Sequence, residues 1–196
     1  MESMIEGYRL ESLTRDRFED LETVLGSGGI GGCWCMYWVP PTTKEWRQGA
    51  KGGASAPNKS EFLAIAQEGP PPGLLAYDGD APIAWCRVMA RTRLLGLTRS
   101  RFFKTDLDID GVWSLPCFVV QRSHRGRGLT RVLTLGAIEL AKKQGATILE
   151  AYPWDPTETM DPSTIYTGVA STFAALGFEV VQRSAPHKPM MRLNLA

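Results

Sequence analysis

The sequence predicts an α/β chain built on one sheet of mixed direction, with helices packed against it. Three observations carry this expectation. Residues 128–144 hold the clearest amphipathic helix of the chain. Apolar, strand-like runs stand on either side of that helix, VWSLPCFVV at 112–120 and TILEAYP at 147–153. GLLAYDGDAPIAWCRVMA at 73–90 sets two apolar runs around an Asp-Gly turn, the pattern of a hairpin.

Taken in order, residues 5–14 read as a strand and 15–25 as a helix with Phe18, Leu21, Val24 and Leu25 on one face. A glycine-rich turn at 26–32 opens onto CWCMYWV, an aromatic-rich segment that reads as a strand. The stretch from 40 to 58 is polar and flexible, and KSEFLAIAQEG is helical until Pro70-Pro71-Pro72 stops it. After the hairpin, 91–111 form a long loop, basic first and acidic afterwards. In the next strand Pro116 lacks a ladder donor, which predicts a bulge. Leu129, Val132, Leu133, Gly136, Ala137, Leu140 and Ala141 share one helix face, with Lys142, Lys143 and Gly145 at its end as the dipole and cap favour. A short helix around 167–176 and two strands, FEVVQ and PMMRLNL, complete the chain. No repeat or second boundary stands out, so 1–196 reads as a single domain.

Composition narrows the function. Lys plus Arg number 22 against 21 acids, a net charge of +1, so no chain-wide electrostatic footprint points to nucleic acid or an anionic membrane. Arg91, Arg93, Arg99 and Arg101 are followed at once by Asp106, Asp108 and Asp110, which suits a solvated loop or a cleft edge. The N-terminus is acidic and broken by charges, unlike a signal peptide, and no apolar run approaches the ~20 residues of a membrane span. Cys33, Cys35, Cys86 and Cys117 then read as reduced thiols of a cytoplasmic protein.

The stretch RSHRGRGLTRVL, 122–133, sets arginines and glycines immediately ahead of the amphipathic helix. A helix N-terminus carries unpartnered amides and a positive dipole end, and glycines let the backbone approach a ligand closely. On local chemistry two readings stand level: a phosphate cradle and a solvated basic turn. No Gly-Lys-Ser/Thr follows, so this is not a P-loop.

CFVVQRSHRGRGLTRVL resembles the acetyl-CoA-binding segment of the GNAT superfamily of N-acyltransferases, an apolar strand followed by Arg/Gln-x-x-Gly-x-Gly/Ala opening a helix. Thr130 departs from that pattern, standing where Gly or Ala is usual. FAALGFEVV, with Gly177-Phe178, is similar to the family's last helix and strand. The resemblance implies a mixed, mostly antiparallel sheet with helices on both faces and its fourth and fifth strands splayed around the pantetheine arm. It implies that Phe118, Val119 and Val120 meet that arm, and that Arg125, Gly126, Arg127, Gly128, Leu129, Thr130 and Arg131 cradle the pyrophosphate. Ser171 and Phe173, on the helix before the Gly-Phe pair, would add cofactor contacts. Residues 1–58 would form the acceptor side and 59–196 the cofactor-binding core.

Acyl transfer to an amine needs a neutral amine, an oxyanion donor and help for the departing thiolate. Glu150, flanked by apolar residues beside the splay, is the candidate base; the alternative is a structural carboxylate paired with an arginine of 91–101. Asp155 and Glu158 are reserves. Phe173 occupies the place of the family's usual tyrosine acid, which leaves Tyr152 and Tyr166 as substitutes. Trp34, Trp85 and Tyr152 belong to an aromatic group that either fills the core or walls an acceptor pocket.

Three motifs are set aside. The GxGxxG match at 26–31 follows a helix and precedes an expected strand, opposite to a dinucleotide fold. Asp106-x-Asp108-x-Asp110-Gly111 begins like a calcium loop but has Cys117 at its twelfth place. Cys33-x-Cys35 lacks nearby Cys or His partners, so no metal is expected. The expected function is acetyl transfer from acetyl-CoA to a primary amine, by direct attack in a ternary complex, with a small-molecule acceptor favoured over a protein lysine or N-terminus. A sensor or interaction domain that keeps the fold without catalysis is the alternative. No nucleic acid or membrane partner is expected, and a homodimer stays an open option.

Overall fold

Glu6 and Gly7 take positive φ, 51° and 87°, and turn the N-terminal segment back on itself. The strand expected over 5–14 is therefore a hairpin, β1 (Glu2–Ile5) and β2 (Tyr8–Ser12). The structure is a computed structural model, described for residues 1–26, 29–52, 56–156 and 165–196. α1 (Phe18–Leu25) follows, with Phe18, Leu21, Val24 and Leu25 buried as their spacing predicts.

The CWCMYWV segment is not a strand. After a single irregular turn, α2 (Gly29–Gly32), the chain runs through successive turns in which Trp34 and Cys35 take φ of 44° and 56°. These left-handed residues break the alternation that a strand requires. The loop instead sends Trp34, Cys35, Met36 and Trp38 inward together. The polar stretch after it is also more ordered than expected. α3 (Thr43–Gly49) is opened by a capping box, the Glu45 amide donating to the Thr42 hydroxyl at 3.2 Å and the Thr42 amide to the Glu45 carboxylate at 3.1 Å.

α4 (Pro57–Glu68) precedes the expected hairpin, β3 (Gly73–Asp78) and β4 (Ala81–Ala90). β5 (Val112–Val120), α5 (Leu129–Lys143) and β6 (Ile148–Ala151) form the parallel crossover. α6 (Ala170–Ala174), β7 (Glu179–Ala185) and β8 (Lys188–Asn194) end the chain. Among the described residues the sheet has eight strands in the order β1-β2-β3-β4-β5-β6-β8-β7, antiparallel except for β5 against β6.

Helices cover both faces. α5 lays Leu129, Val132, Leu133, Ala137 and Leu140 on one face, and α1 and α4 bring Phe18, Leu21 and Phe62 to the other. Each such large side chain contributes about 1.5–3 kcal/mol by leaving water. Gly136 permits the close approach of α5: a Cβ there would sit 2.4 Å from a Leu10 methyl.

Two features of β5 position the site. Its register against β4 shifts between Arg87–Cys117 and Met89–Ser114, which puts an extra residue on β5 beside Pro116, where the missing amide predicts a bulge. Its pairing with β6 ends at Leu115–Ala151, and beyond that point the two strands splay.

Candidate functional site

The splay opens into a cleft of about 760 Å³. One wall is the end of β5, from Cys117 to Val120, and another is the loop and first turn of α5, including Arg125, Gly126 and Gly128–Arg131. Gly126 and Gly128 both hold φ of 76°, and Gly128 is the residue at which the helix starts. Only glycine takes this conformation without strain. Among the described residues nothing accepts the amides of Gly126, Arg127, Gly128, Leu129 or Thr130; the first helical donors with partners are Arg131 and Val132, both to the Gly128 carbonyl. Successive free N–H groups at a helix N-terminus form an anion site. Arg125 fixes the turn, its Nε donating to the Val120 carbonyl at 3.2 Å.

Opposite this cradle the segment 165–169 crosses the splay. The Tyr166 carbonyl accepts the Phe118 amide at 2.7 Å, and Trp154 pairs with Val169 in an isolated parallel bridge. The expected pairing of Phe118 with a pantetheine arm is corrected here: that amide already has a partner. The alternation of the ladder aims the Val120 amide to the same side as that of Phe118, and Val120 lines the cleft.

No protein-family model and no curated protein sequence matches the chain. Solved structures do. The PaiA N-acetyltransferase from Thermoplasma acidophilum, in complex with coenzyme A, is 12% identical with a TM-score of 0.51, covering 95% of this chain and 98% of that one. A GCN5-related N-acetyltransferase from Kribbella flavida is 12% identical with a TM-score of 0.53, covering 96% and 98%. Arylalkylamine N-acetyltransferase 2 from Aedes aegypti is 12% identical with a TM-score of 0.56, covering 97% and 100%. The fold is the GNAT fold.

In this GNAT fold the expected cofactor residues divide into two groups. Phe118, Val119, Val120, Arg125, Gly126, Gly128, Leu129, Thr130 and Arg131 line the cleft. Arg127 is exposed outside it, and Arg131 also pairs with Glu6 at 3.2 Å. Thr130 turns its methyl toward Gly168, where an added Cβ would lie 3.4 Å from it. On α6, Ser171 points to solvent and Phe173 is buried between Phe118 and Phe178; Thr172 faces the cleft instead.

Glu150 and Tyr152 are corrected as catalytic residues. Both are fully buried and neither lines the cleft. Glu150 pairs with Arg91 on one oxygen and with Arg192 Nε at 2.8 Å on the other, and it accepts the Tyr152 hydroxyl. Tyr152 also contacts Arg91 and lies 2.8 Å from Ser114 Oγ. Burial and the Glu150 charge push its phenol well up, so it stays protonated. This is the structural alternative for Glu150: a carboxylate held by an arginine of the 91–101 segment, its lone pairs engaged. Asp155 pairs with Arg183 at 2.8 Å, and Glu158 lies outside the described residues.

Trp34 and Trp85 are likewise corrected as acceptor contacts. Both are core side chains, Trp34 stacked on Phe18 and Trp85 edge-on to Phe62. Beside Phe118, the aromatics at the cleft are Tyr37, Trp38 and Tyr166, and these three also line a second pocket of about 410 Å³.

Lys188, missed by the sequence reading, lines that second pocket. Its ammonium lies 3.3 Å from the Trp154 ring centroid and 5.8 Å from that of Phe103, with no acidic partner among the described residues. Burial pushes it down to about 7. A lysine in a terminal strand gives no signal in one dimension; its aromatic neighbours come from the β4–β5 connection, Phe103, and from the segment after β6, Trp154. No group of metal-ligating side chains is present among the described residues.

Proposed function

We propose that the chain is an acyl-CoA-dependent N-acetyltransferase that transfers acetyl from acetyl-CoA to the primary amine of a small molecule. The observation that carries this reading is the row of unpartnered amides from Gly126 to Thr130 on the wall of the cleft. Those amides, with Arg125 and Arg131 beside them, fit a pyrophosphate. Bound there, acetyl-CoA would supply an activated acyl group on a good leaving thiolate. The acceptor enters through the second pocket, where Tyr37, Trp38 and Tyr166 separate it from the cleft. Lys188, neutral above about pH 7, takes the proton of the acceptor ammonium. Residues 1–58 supply the acceptor-side loop and 59–196 the cofactor core of one catalytic unit.

Calorimetry with acetyl-CoA, followed by release of free thiol across a panel of primary amines, tests the proposal. Tight binding and amine-dependent release are expected; no binding at millimolar concentration removes it. Phe173 in place of the expected tyrosine, and the engagement of Glu150 by two arginines, favour a second reading: a cofactor-binding domain without turnover. Binding without thiol release for any amine selects that reading.

A further inference from the structure

The second pocket, of about 410 Å³, shares the wall of Tyr37, Trp38 and Tyr166 with the cleft and is lined beyond it by residues that the cleft does not touch. Its size is that of a small-molecule site, which runs to roughly 300–1,000 Å³. Its charge is one-sided. Among the described residues Arg99, Arg101 and Lys188 line it, and no carboxylate does. None of the three takes part in an ion pair among the described residues.

The two arginines are held differently. Arg99 is tied into the fold, its Nη1 donating to the Pro40 carbonyl at 2.9 Å and its Nη2 to the Tyr37 carbonyl. Those carbonyls satisfy the donors without cancelling the charge. Arg101 is exposed and makes no hydrogen bond among the described residues; only the Phe102 ring lies against it, 4.6 Å from its guanidinium carbon. Its planar fork of N–H donors is left for an incoming anion, and a carboxylate matches that fork in geometry.

An aromatic pocket also suits a cationic ligand, whose charge rests on the ring faces. Here the chain's own cations take that place. Arg99 lies 4.7 Å from the Tyr37 centroid and 5.7 Å from that of Trp38, and Lys188 lies 3.3 Å from that of Trp154. With Phe102 beneath Arg101, four of the six rings that line the pocket already carry a cation. A simple ammonium or a polyamine would meet two guanidiniums that stay charged and no anion. An amine that brings its own carboxylate enters without net charge. Its carboxylate answers the guanidiniums, its apolar body rests on the aromatic wall, and the positive surroundings favour the neutral nitrogen that attack requires.

We propose that the acceptor is an amino acid with an aromatic or branched apolar side chain, its carboxylate held by Arg101 with Arg99 adding its charge. The proposal rests on the acyl-CoA reading above and names the acceptor of that transfer. The acceptor's ammonium gives one proton to Lys188, and the neutral nitrogen forms a bond to the thioester carbonyl carbon. The bond from that carbon to the coenzyme A sulfur breaks, and a second proton passes from the nitrogen to the departing thiolate. Lys188 returns its proton to solvent, and the products are an N-acetyl amino acid and free thiol.

The test uses the intact chain, acetyl-CoA and pairs of acceptors that differ only in the carboxylate. The pairs are phenylalanine with phenethylamine, tryptophan with tryptamine, and leucine with 3-methylbutylamine, with spermidine as a polycation. Thiol release gives kcat and KM for each. The expected result is a kcat/KM about tenfold or more higher for each amino acid than for its partner, carried mainly by KM. In Arg101→Gln that ratio should fall by roughly threefold or more, again through KM, as suits an exposed arginine. Calorimetric binding of acetyl-CoA by Arg101→Gln serves as the folding control. Release that favours the partners, spermidine or other amines over the amino acids overturns the proposal and leaves the acyl-CoA reading intact. A preference for the amino acids that survives Arg101→Gln unchanged overturns the assignment of their carboxylate to this pocket. No release with any amine, or no binding of acetyl-CoA, overturns the transferase reading, and the amino-acid acceptor with it.

Discussion

The Trp85 indole donates to the Cys35 sulfur at 3.0 Å across 50 positions of sequence, deep against the face of the sheet that α1 and α4 cover. A buried indole N–H seeks an acceptor, and here a sulfur satisfies it. Trp85→Phe keeps most of the aromatic volume and removes the donor. The expected effect is a loss of stability on the order of 1–3 kcal/mol from the cavity and the lost bond. Urea unfolding measures it, and wild-type stability would show that the indole–sulfur bond contributes nothing to the fold.

Glu150→Gln separates a structural carboxylate from a catalytic one. The substitution leaves Arg91, 5% exposed, without its anion. Removing one partner of a buried ion pair costs about 3–5 kcal/mol, a little less here because Arg192 is nearer the surface. Urea unfolding should show this loss, while the folded fraction keeps its affinity for acetyl-CoA and its turnover. Wild-type stability with lost turnover would restore Glu150 as the base.

Gly128→Ala probes the cradle. An added Cβ at Gly128 meets nothing within 4 Å, so the cost is conformational: φ of 76° is strained for alanine. That strain is about 1–2 kcal/mol, visible as a small fall in melting temperature. Relief of the strain tilts the Leu129 and Thr130 amides, and acetyl-CoA affinity should fall by tenfold or more in calorimetry. Arg125→Ala, which removes the bond to the Val120 carbonyl, should act in the same direction without the strain.

Where side-chain spacing repeats with the period of a regular element, the sequence is legible. The face of α5, the β3–β4 hairpin, the bulge at Pro116 and the glycine loop are all local patterns, and the structure carries each of them. CWCMYWV departs from its strand-like alternation because two left-handed residues, invisible in composition, turn it into a loop that feeds both sides of the core. The hairpin at Glu6-Gly7 and the capping box at Thr42 were present as short signals but overshadowed by the longer patterns beside them. The site divides in the same way. Its phosphate end is one contiguous stretch, whereas the second pocket and the cage of Lys188 join side chains that only the folded sheet brings together. Glu150 stands out in the sequence as an acid among apolar residues, a pattern equally suited to a base and to a buried ion pair, and only the fold brings Arg91 and Arg192 to it.

Lys188 ties the reaction and the fold to one titration, and both gain as pH rises. Its folded value of about 7 lies below the ordinary 10.5 because burial disfavours the ammonium. Between those values the unfolded chain binds more protons than the folded one, so stability rises with pH across that window; below about 7 the penalty is fully present, and above 10.5 it is gone. Catalysis follows the neutral amine. As pH falls through about 7, kcat/KM should drop toward tenfold per unit, provided that Lys188 is the group accepting the acceptor's proton. Lys188→Met keeps the packing between Trp154 and Phe103 and removes the charge. Its expected profile is a stability at pH 7 above that of the wild type and flatter from 7 to 10.5, together with turnover that is lowered at pH 8 and has lost the limb near 7. Chemical denaturation and initial-rate measurements at the same pH values read both. A retained limb in Lys188→Met would assign the titration to another group and leave Lys188 as packing alone.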